Sequence, residues 1–337
     1  MVIYSIWNNK GGTGKTSLSF QAVTRFAELN PEKKILVVDL CPQANLTEIF
    51  LGGQEGSGSE KLLLNQGQIP RRSIGGYFDA RLKSPYSAPN FVGRDFICLP
   101  NEFNSAIATN IDLICGDALL ELQAIAMNTL ANADIPGVNS WLGIIDWLKE
   151  LLDQVDYDYV FIDTNPSFSM YTQIGLAASH RVILPVMADD SSRRAIQNAF
   201  SLIYGLKLPS EVYKNYTFAK KLNDAGRSLP MMHLIVKNRL TQYMGTSSAY
   251  NAALTGIEKD LAELISLHPQ YFTFTDPVAG SVDVRDFGTT GVVAFARGCP
   301  FSKMPHGKLT VSGKRINVRA DYKENMIKTI DELVARI

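Results

Sequence analysis

The segment Lys10-Gly11-Gly12-Thr13-Gly14-Lys15-Thr16 combines residue types whose spacing suits one chemistry, the holding of a polyphosphate. Glycines let consecutive backbone N–H groups turn inward around phosphate oxygens, where a side chain would block the approach. A helix that starts here aims its positive N-terminal end at the same anion. Lys15 would neutralise the β- and γ-phosphates, the Thr16 hydroxyl would complete a Mg²⁺ shell, and Ser17 would join the residues that bind the nucleotide. Downstream, Tyr159-Val-Phe-Ile-Asp163 is an apolar run ending in a carboxylate, an arrangement that holds Mg²⁺, generally through water. The expected cofactors are ATP and Mg²⁺.

Such residues need a scaffold that brings strand ends together. Val2 to Trp7 is a short apolar run entering the glycine turn, as expected of a buried parallel strand. From Thr16, Leu18, Ala22, Phe26 and Leu29 recur at helical spacing until Asn30-Pro31 stops the pattern. Lys34 to Asp39 reads as the next strand, which completes a βαβ unit. Further apolar runs at Ile111–Cys115, Tyr159–Asp163, Arg181–Val186 and His233–Lys237 alternate with helical patterns. One of these runs from a cap at Asn139/Ser140 to Leu152, and another from Ile196 to Tyr204.

The expected fold class is α/β, a mostly parallel twisted sheet with helices on both faces, of the P-loop NTPase type. A single domain over 1–337 is expected, with insertions or irregular segments near 52–100 and 205–230. The Gly/Ser-rich stretch Gly52–Glu60 reads as a mobile loop. An amphipathic helix is predicted over 321–337, where Tyr322, Met326, Ile327, Ile330, Leu333, Val334 and Ile337 share one stripe.

Acidic and basic residues balance at 33 each, so any electrostatic partner site must be local. The four cysteines (Cys41, Cys98, Cys115, Cys299) form no CxxC or Cys/His cluster, which points to reduced thiols. No apolar run reaches the ~18–20 residues a membrane span needs. A cytoplasmic location is expected.

The glycine segment carries an extra lysine, Lys10, directly before Gly11-Gly12, and so resembles the deviant Walker A motif of the ParA/MinD ATPase family. Val37-Val-Asp39-Leu-Cys41-Pro42-Gln43-Ala-Asn45-Leu-Thr47 resembles that family's second motif. Tyr157 to Ser167 resembles its Walker B segment, Ile111–Gly116 and Arg181–Val186 resemble two of its strands, and Pro42-Gln43 with Asn165-Pro166-Ser167 favours the ParA branch. The resemblance implies a homodimer that sandwiches two ATP molecules, with Lys10 of each subunit acting on the other's phosphates as an arginine finger does. Asp39 joins Thr16 and Asp163 at the metal. The resemblance further implies slow ATP hydrolysis stimulated by a centromere-binding or adaptor partner, and non-specific DNA binding that would make the protein nucleoid-associated. Asn238 would lie on the purine, and Pro277 and Val278 would line the base.

One departure bears on chemistry. The family's second motif has two aspartates, and here Cys41 replaces the second, which helps position the attacking water. A neutral thiol is a poor substitute for a carboxylate. Binding and dimerisation are expected to survive, with hydrolysis slowed.

Two partner classes compete. Lys303, Lys308, Lys314, Arg315 and Arg319 cluster without an acid between Ser302 and Ala320, and Lys214, Lys220, Lys221 and Arg227 form a second group. Either can contact DNA phosphates. The alternative is a MinD-like membrane-associated positioning switch, but the terminal helix mixes Lys323, Lys328 and Arg336 with Glu324, Asp331 and Glu332. That face is too acidic for a lipid anchor, so no stable membrane association is expected. A nitrogenase-iron-protein-like cluster on Cys98 and Cys115 is disfavoured by their surroundings.

Overall fold

A computed structural model describes residues 1–87, 89–187, 189–240 and 248–337. Among the described residues, seven parallel strands form the central sheet: β1 (Val2–Ile6), β2 (Ile35–Leu40), β3 (Ile111–Ile114), β4 (Tyr159–Thr164), β5 (Arg181–Met187), β6 (Met231–Leu240) and β7 (Ser281–Arg285). Their order is β3-β2-β4-β1-β5-β6-β7. β1 sits between β4 and β5, where chain connections leave in opposite directions, and ligands bind at the carboxyl ends of strands beside such a switch point.

The strands are apolar on both sides because both faces are covered. In β2, Ile35 and Val37 enter one core while Leu36, Val38 and Leu40 enter the other. On the first face lie α1 (Lys15–Leu29), α12 (Gly288–Arg297) and α13 (Ala320–Val334). On the other pack α4 (Ile74–Leu82), α5 (Leu120–Ala131), α6 (Ser140–Ile145), α7 (Trp147–Leu152), α8 (Met170–Ala178), α9 (Asp190–Tyr204), α10 (Phe218–Asp224) and α11 (Ser248–Leu267). The expected α/β architecture is present.

Local structure departs from the sequence reading in three places. The helix expected from Asn139 to Leu152 is two, α6 and α7, joined at Asp146, whose carboxylate binds Arg227. The segments 52–100 and 205–230 contain helices: α3 (Gly58–Gln66), α4 and α10. The Gly52–Glu60 stretch is a close-packed junction beside α2 (Asn45–Phe50) and not a slack loop. A Cβ on Gly53 would lie 2.3 Å from the Phe295 carbonyl oxygen, and one on Gly58 would lie 2.2 Å from that of Glu48. Only glycine permits that approach of backbone to backbone.

The terminal helix α13 buries Met326, Ile330, Leu333 and Val334 against the body, and Asp331 pairs with Arg25 of α1 at 2.6 Å. Its apolar stripe is therefore occupied by the protein's own core. Among the described residues no helix is long and apolar enough to cross a membrane. Before α13 the chain makes a two-stranded antiparallel hairpin, β8 (Gly307–Val311) and β9 (Lys314–Val318).

Candidate nucleotide site

β1 delivers the glycine turn to the sheet's carboxyl edge. Gly12 and Gly14 take φ of 74° and 79°, the left-handed conformation that glycine adopts without strain. A Cβ on Gly11 or Gly12 would meet nothing within 4 Å, and both glycines are exposed. The Thr13 hydroxyl beside it is buried with no hydrogen-bond partner. Lys15 is buried too, and its Nζ donates to the carbonyls of Asn8 (3.2 Å) and Lys10 (3.3 Å). Burial lowers its pKa, opposed by the charge of Asp163. A glycine turn, a desolvated ammonium and an unsatisfied hydroxyl suit a polyphosphate.

Behind the loop, β2 and β4 place Asp39 and Asp163 directly opposite each other in register. Asp163 accepts from Ser19 Oγ (2.8 Å) and Thr16 Oγ1 (3.1 Å). Asp39 accepts from the Thr47 amide (2.9 Å), the Thr47 hydroxyl (2.8 Å) and the Cys41 amide (3.1 Å). Burial pushes Asp39 up to about 7, reinforced by the charge of Asp163, and burial pushes Asp163 up to about 6. Two desolvated carboxylates and a hydroxyl fit Mg²⁺, which typically takes few protein ligands and completes its shell with phosphate and water. Among the described residues no group of three His, Cys, Asp or Glu could hold a metal alone.

Cys41 lies beside this pair, 3.9 Å from Asn165 Nδ2. Burial and the nearby Asp39 push its thiol up to about 12, so it is neutral at physiological pH. Lys10 does not point into its own loop. Its Nζ donates to Asp189 Oδ2 at 2.7 Å and to the Ser191 hydroxyl, at the start of α9.

A cavity of about 890 Å³ runs from Gly14, Thr16 and Ser17 past Asn238 and Arg239 to Asp286. Asn238 therefore lines this cavity beside the glycine turn. Its amide is already engaged, donating to the Thr13 carbonyl at 2.8 Å and accepting from the Arg239 amide at 2.9 Å. It braces the phosphate loop against β6. Pro277 and Val278, expected to line the base, precede β7 at the end of that parallel strand away from the glycine turn, and are not among the residues lining this cavity.

The basic residues of 303–319 are dispersed. Lys308 and Arg315 extend from the exposed side of the hairpin, whereas Lys314 lies on its other side and lines the cavity. Arg319 pairs with Asp321 at 2.5 Å, and Lys303 is exposed. In the second group, Lys214 pairs with Glu211, Lys220 with Asp224 and Arg227 with Asp146. Sequence reading missed Ser19, Thr47, Asp189 and Asp286. Ser19 was within reach, one turn beyond Thr16 on the same helix face.

The model of a family described as AAA domain matches residues 1–211. The cell division protein PomZ of Myxococcus xanthus is 27% identical over 200 residues, 59% of this chain and 50% of the relative. The chain spans about half the length of the first curated relatives it matches. Among solved structures, apo McdA of Cyanothece is similar with a TM-score of 0.61 and 15% identity, over 100% of this chain and 99% of that one. ParA of pNOB8, bound to nonspecific DNA, has a TM-score of 0.54 and 17% identity, over 99% and 98% of the two chains. At those identities the likeness is one of fold. With its glycine cradle and facing carboxylates, this chain belongs to the AAA domain family, as a P-loop NTPase of the ParA/MinD-like superfamily.

Proposed function

We propose that this chain is a ParA-branch ATPase. It dimerises on ATP, binds DNA without sequence preference, and partitions or positions a cargo together with an adaptor protein. The observation that carries this reading is the division of labour between two lysines in one glycine segment. Lys15 serves the loop it belongs to, while Lys10 is held outside it by Asp189 and Ser191, available to a second subunit.

The backbone amides of residues 11–16 would receive the phosphates, with Lys15 balancing their charge. Thr16, Asp39 and Asp163 would hold Mg²⁺, which supplies stabilisation of negative charge on the phosphates. Lys10 of the partner subunit would add a further cation at the same place. Cys41, a neutral thiol, cannot take a proton from water, and the Asn165 amide beside it is no base either. Turnover is therefore slow.

The DNA reading rests on the exposed side of the hairpin, where Lys308 and Arg315 project with Thr310 and Asn317. ParA of pNOB8, which shares this fold, has been solved bound to nonspecific DNA, and that points the same way. Retention on DNA–cellulose at low salt tests it. We expect retention with ATP, loss with ADP, and a steep fall with added salt. No retention in ATP would overturn the DNA reading.

A further inference from the structure

Phe168 joins the end of β4, just past Asp163, to α8. Its ring lies 5.5 Å from that of Trp7, which leads β1 into the glycine turn, and 5.8 Å from Phe218 of α10. Phe168 also lines a second cavity, about 430 Å³, on the face of the sheet away from α1. Trp141, Phe218, Tyr213 and Tyr216 share that lining. The two tyrosines belong to a short 3₁₀ helix (Glu211–Tyr216) that buries none of its side chains, and they are 55% and 73% exposed. Contiguous exposed aromatics rimmed by polar groups mark interaction sites, and Tyr and Trp dominate the anchors of protein interfaces.

Charge around the groove is uneven. Lys214, Lys220 and Arg227 each have a carboxylate partner. Lys221 has none among the described residues; its Nζ sits over the Trp141 ring, 5.4 Å from the centroid. Burial lowers its pKa. A half-buried ammonium on an aromatic wall, with no carboxylate beside it, leaves donors free for an anion from outside.

We propose that this groove docks a short peptide segment of a partner protein, one carrying a carboxylate for Lys221 beside an aromatic or aliphatic side chain. The apolar side chain enters among Trp141, Phe168 and Phe218, while Tyr213 and Tyr216 cover the peptide. The exposed tyrosines extend the surface beyond what a small metabolite would occupy, which is why the occupant is a peptide. Docking would act on Phe168, and through it on Trp7 and on the Asn165–Ser167 turn next to Cys41. That the peptide belongs to the partner acting on the ATPase rests on the function proposed above; the groove's chemistry does not.

The test pans the full nucleotide-free chain against a display library of random short peptides and re-measures the enriched sequences as fluorescein-labelled peptides by anisotropy. Working without nucleotide separates this proposal from the ATPase reading. We expect enriched peptides to pair Asp or Glu with a nearby apolar side chain. They should bind at least tenfold more weakly to Lys221→Glu, more weakly to Lys221→Gln, and more weakly to Tyr213→Ala. No enrichment, basic winners, or equal binding to Lys221→Glu would overturn the proposal. So would a concentration-dependent doubling of the nucleotide-free chain's mass that Lys221→Glu abolishes, since the groove would then take a second copy.

Discussion

The ammonium of Lys10 meets the carboxylate of Asp189 at 2.7 Å, joining the glycine segment to the start of α9 across 179 residues of sequence. Both side chains are partly exposed, 25% and 42%. An ion pair of that exposure is worth only about 0–1 kcal/mol, so it can be exchanged for a better partner. Burial alone would raise Asp189, but hydrogen bonds from Lys10, Ser191 and Ser192 outweigh it and hold the carboxyl at about 2. Asp189 therefore stays charged at working pH and competes with phosphate for the lysine.

Removing that competitor should favour dimerisation. Asp189→Ala is expected to lower the ATP concentration needed for half-dimerisation about two- to fivefold, matching the modest worth of an exposed pair. Sedimentation velocity across an ATP series reads it. An unchanged or raised midpoint would mean that the pair does not restrain Lys10.

Restoring a carboxylate beside Asp39 should restore chemistry. Cys41→Asp is expected to raise phosphate release on the order of a hundredfold, the lower range for a positioned general base or water-orienting group. Equal rates would remove Cys41 from the account of slow turnover.

Asn238 should matter for a reason other than base contact. Asn238→Ala leaves the Thr13 carbonyl without its donor and loosens the loop from β6. A lost buried hydrogen bond of about 1–1.5 kcal/mol corresponds to roughly five- to tenfold weaker nucleotide binding. Pro277→Ala should leave affinity unchanged. Calorimetric titration of both variants separates the brace from the base-lining expectation, which predicts losses at both.

On DNA, the hairpin residues should not be equivalent. Lys308→Glu with Arg315→Glu should weaken binding and flatten its salt dependence by about one to two phosphate contacts. Arg319→Ala, already paired with Asp321, should change little. Equal effects from all three positions would make the contribution a diffuse charge effect and not a face.

The parts legible in sequence were those written in consecutive residues. The glycine turn, the helix that carries Lys15 and Thr16, and the strand that carries Asp163 each sit within one strand–turn–helix unit, so local pattern was enough to place them. What escaped depends on partners far along the chain. Asn238 meets Thr13 across 225 residues, and no local pattern specifies that pair. The position of Pro277 was not legible because a string of residues does not give the direction in which β7 enters the sheet. The glycines at 53 and 58 looked like slack because composition cannot distinguish a loose loop from backbones pressed together. Lys314 entered as one of five basic residues, yet strand alternation turns it toward the cavity while Arg315 faces away.

The central claim, that Lys10 serves a second subunit while Lys15 serves its own loop, is tested most directly by mass. Light scattering in MgATP should give twice the chain mass for the wild type and the chain mass for Lys10→Ala. The variant should still bind a fluorescent ATP analogue with wild-type affinity. A Lys10→Ala chain that doubles its mass at the same ATP concentration would contradict the account.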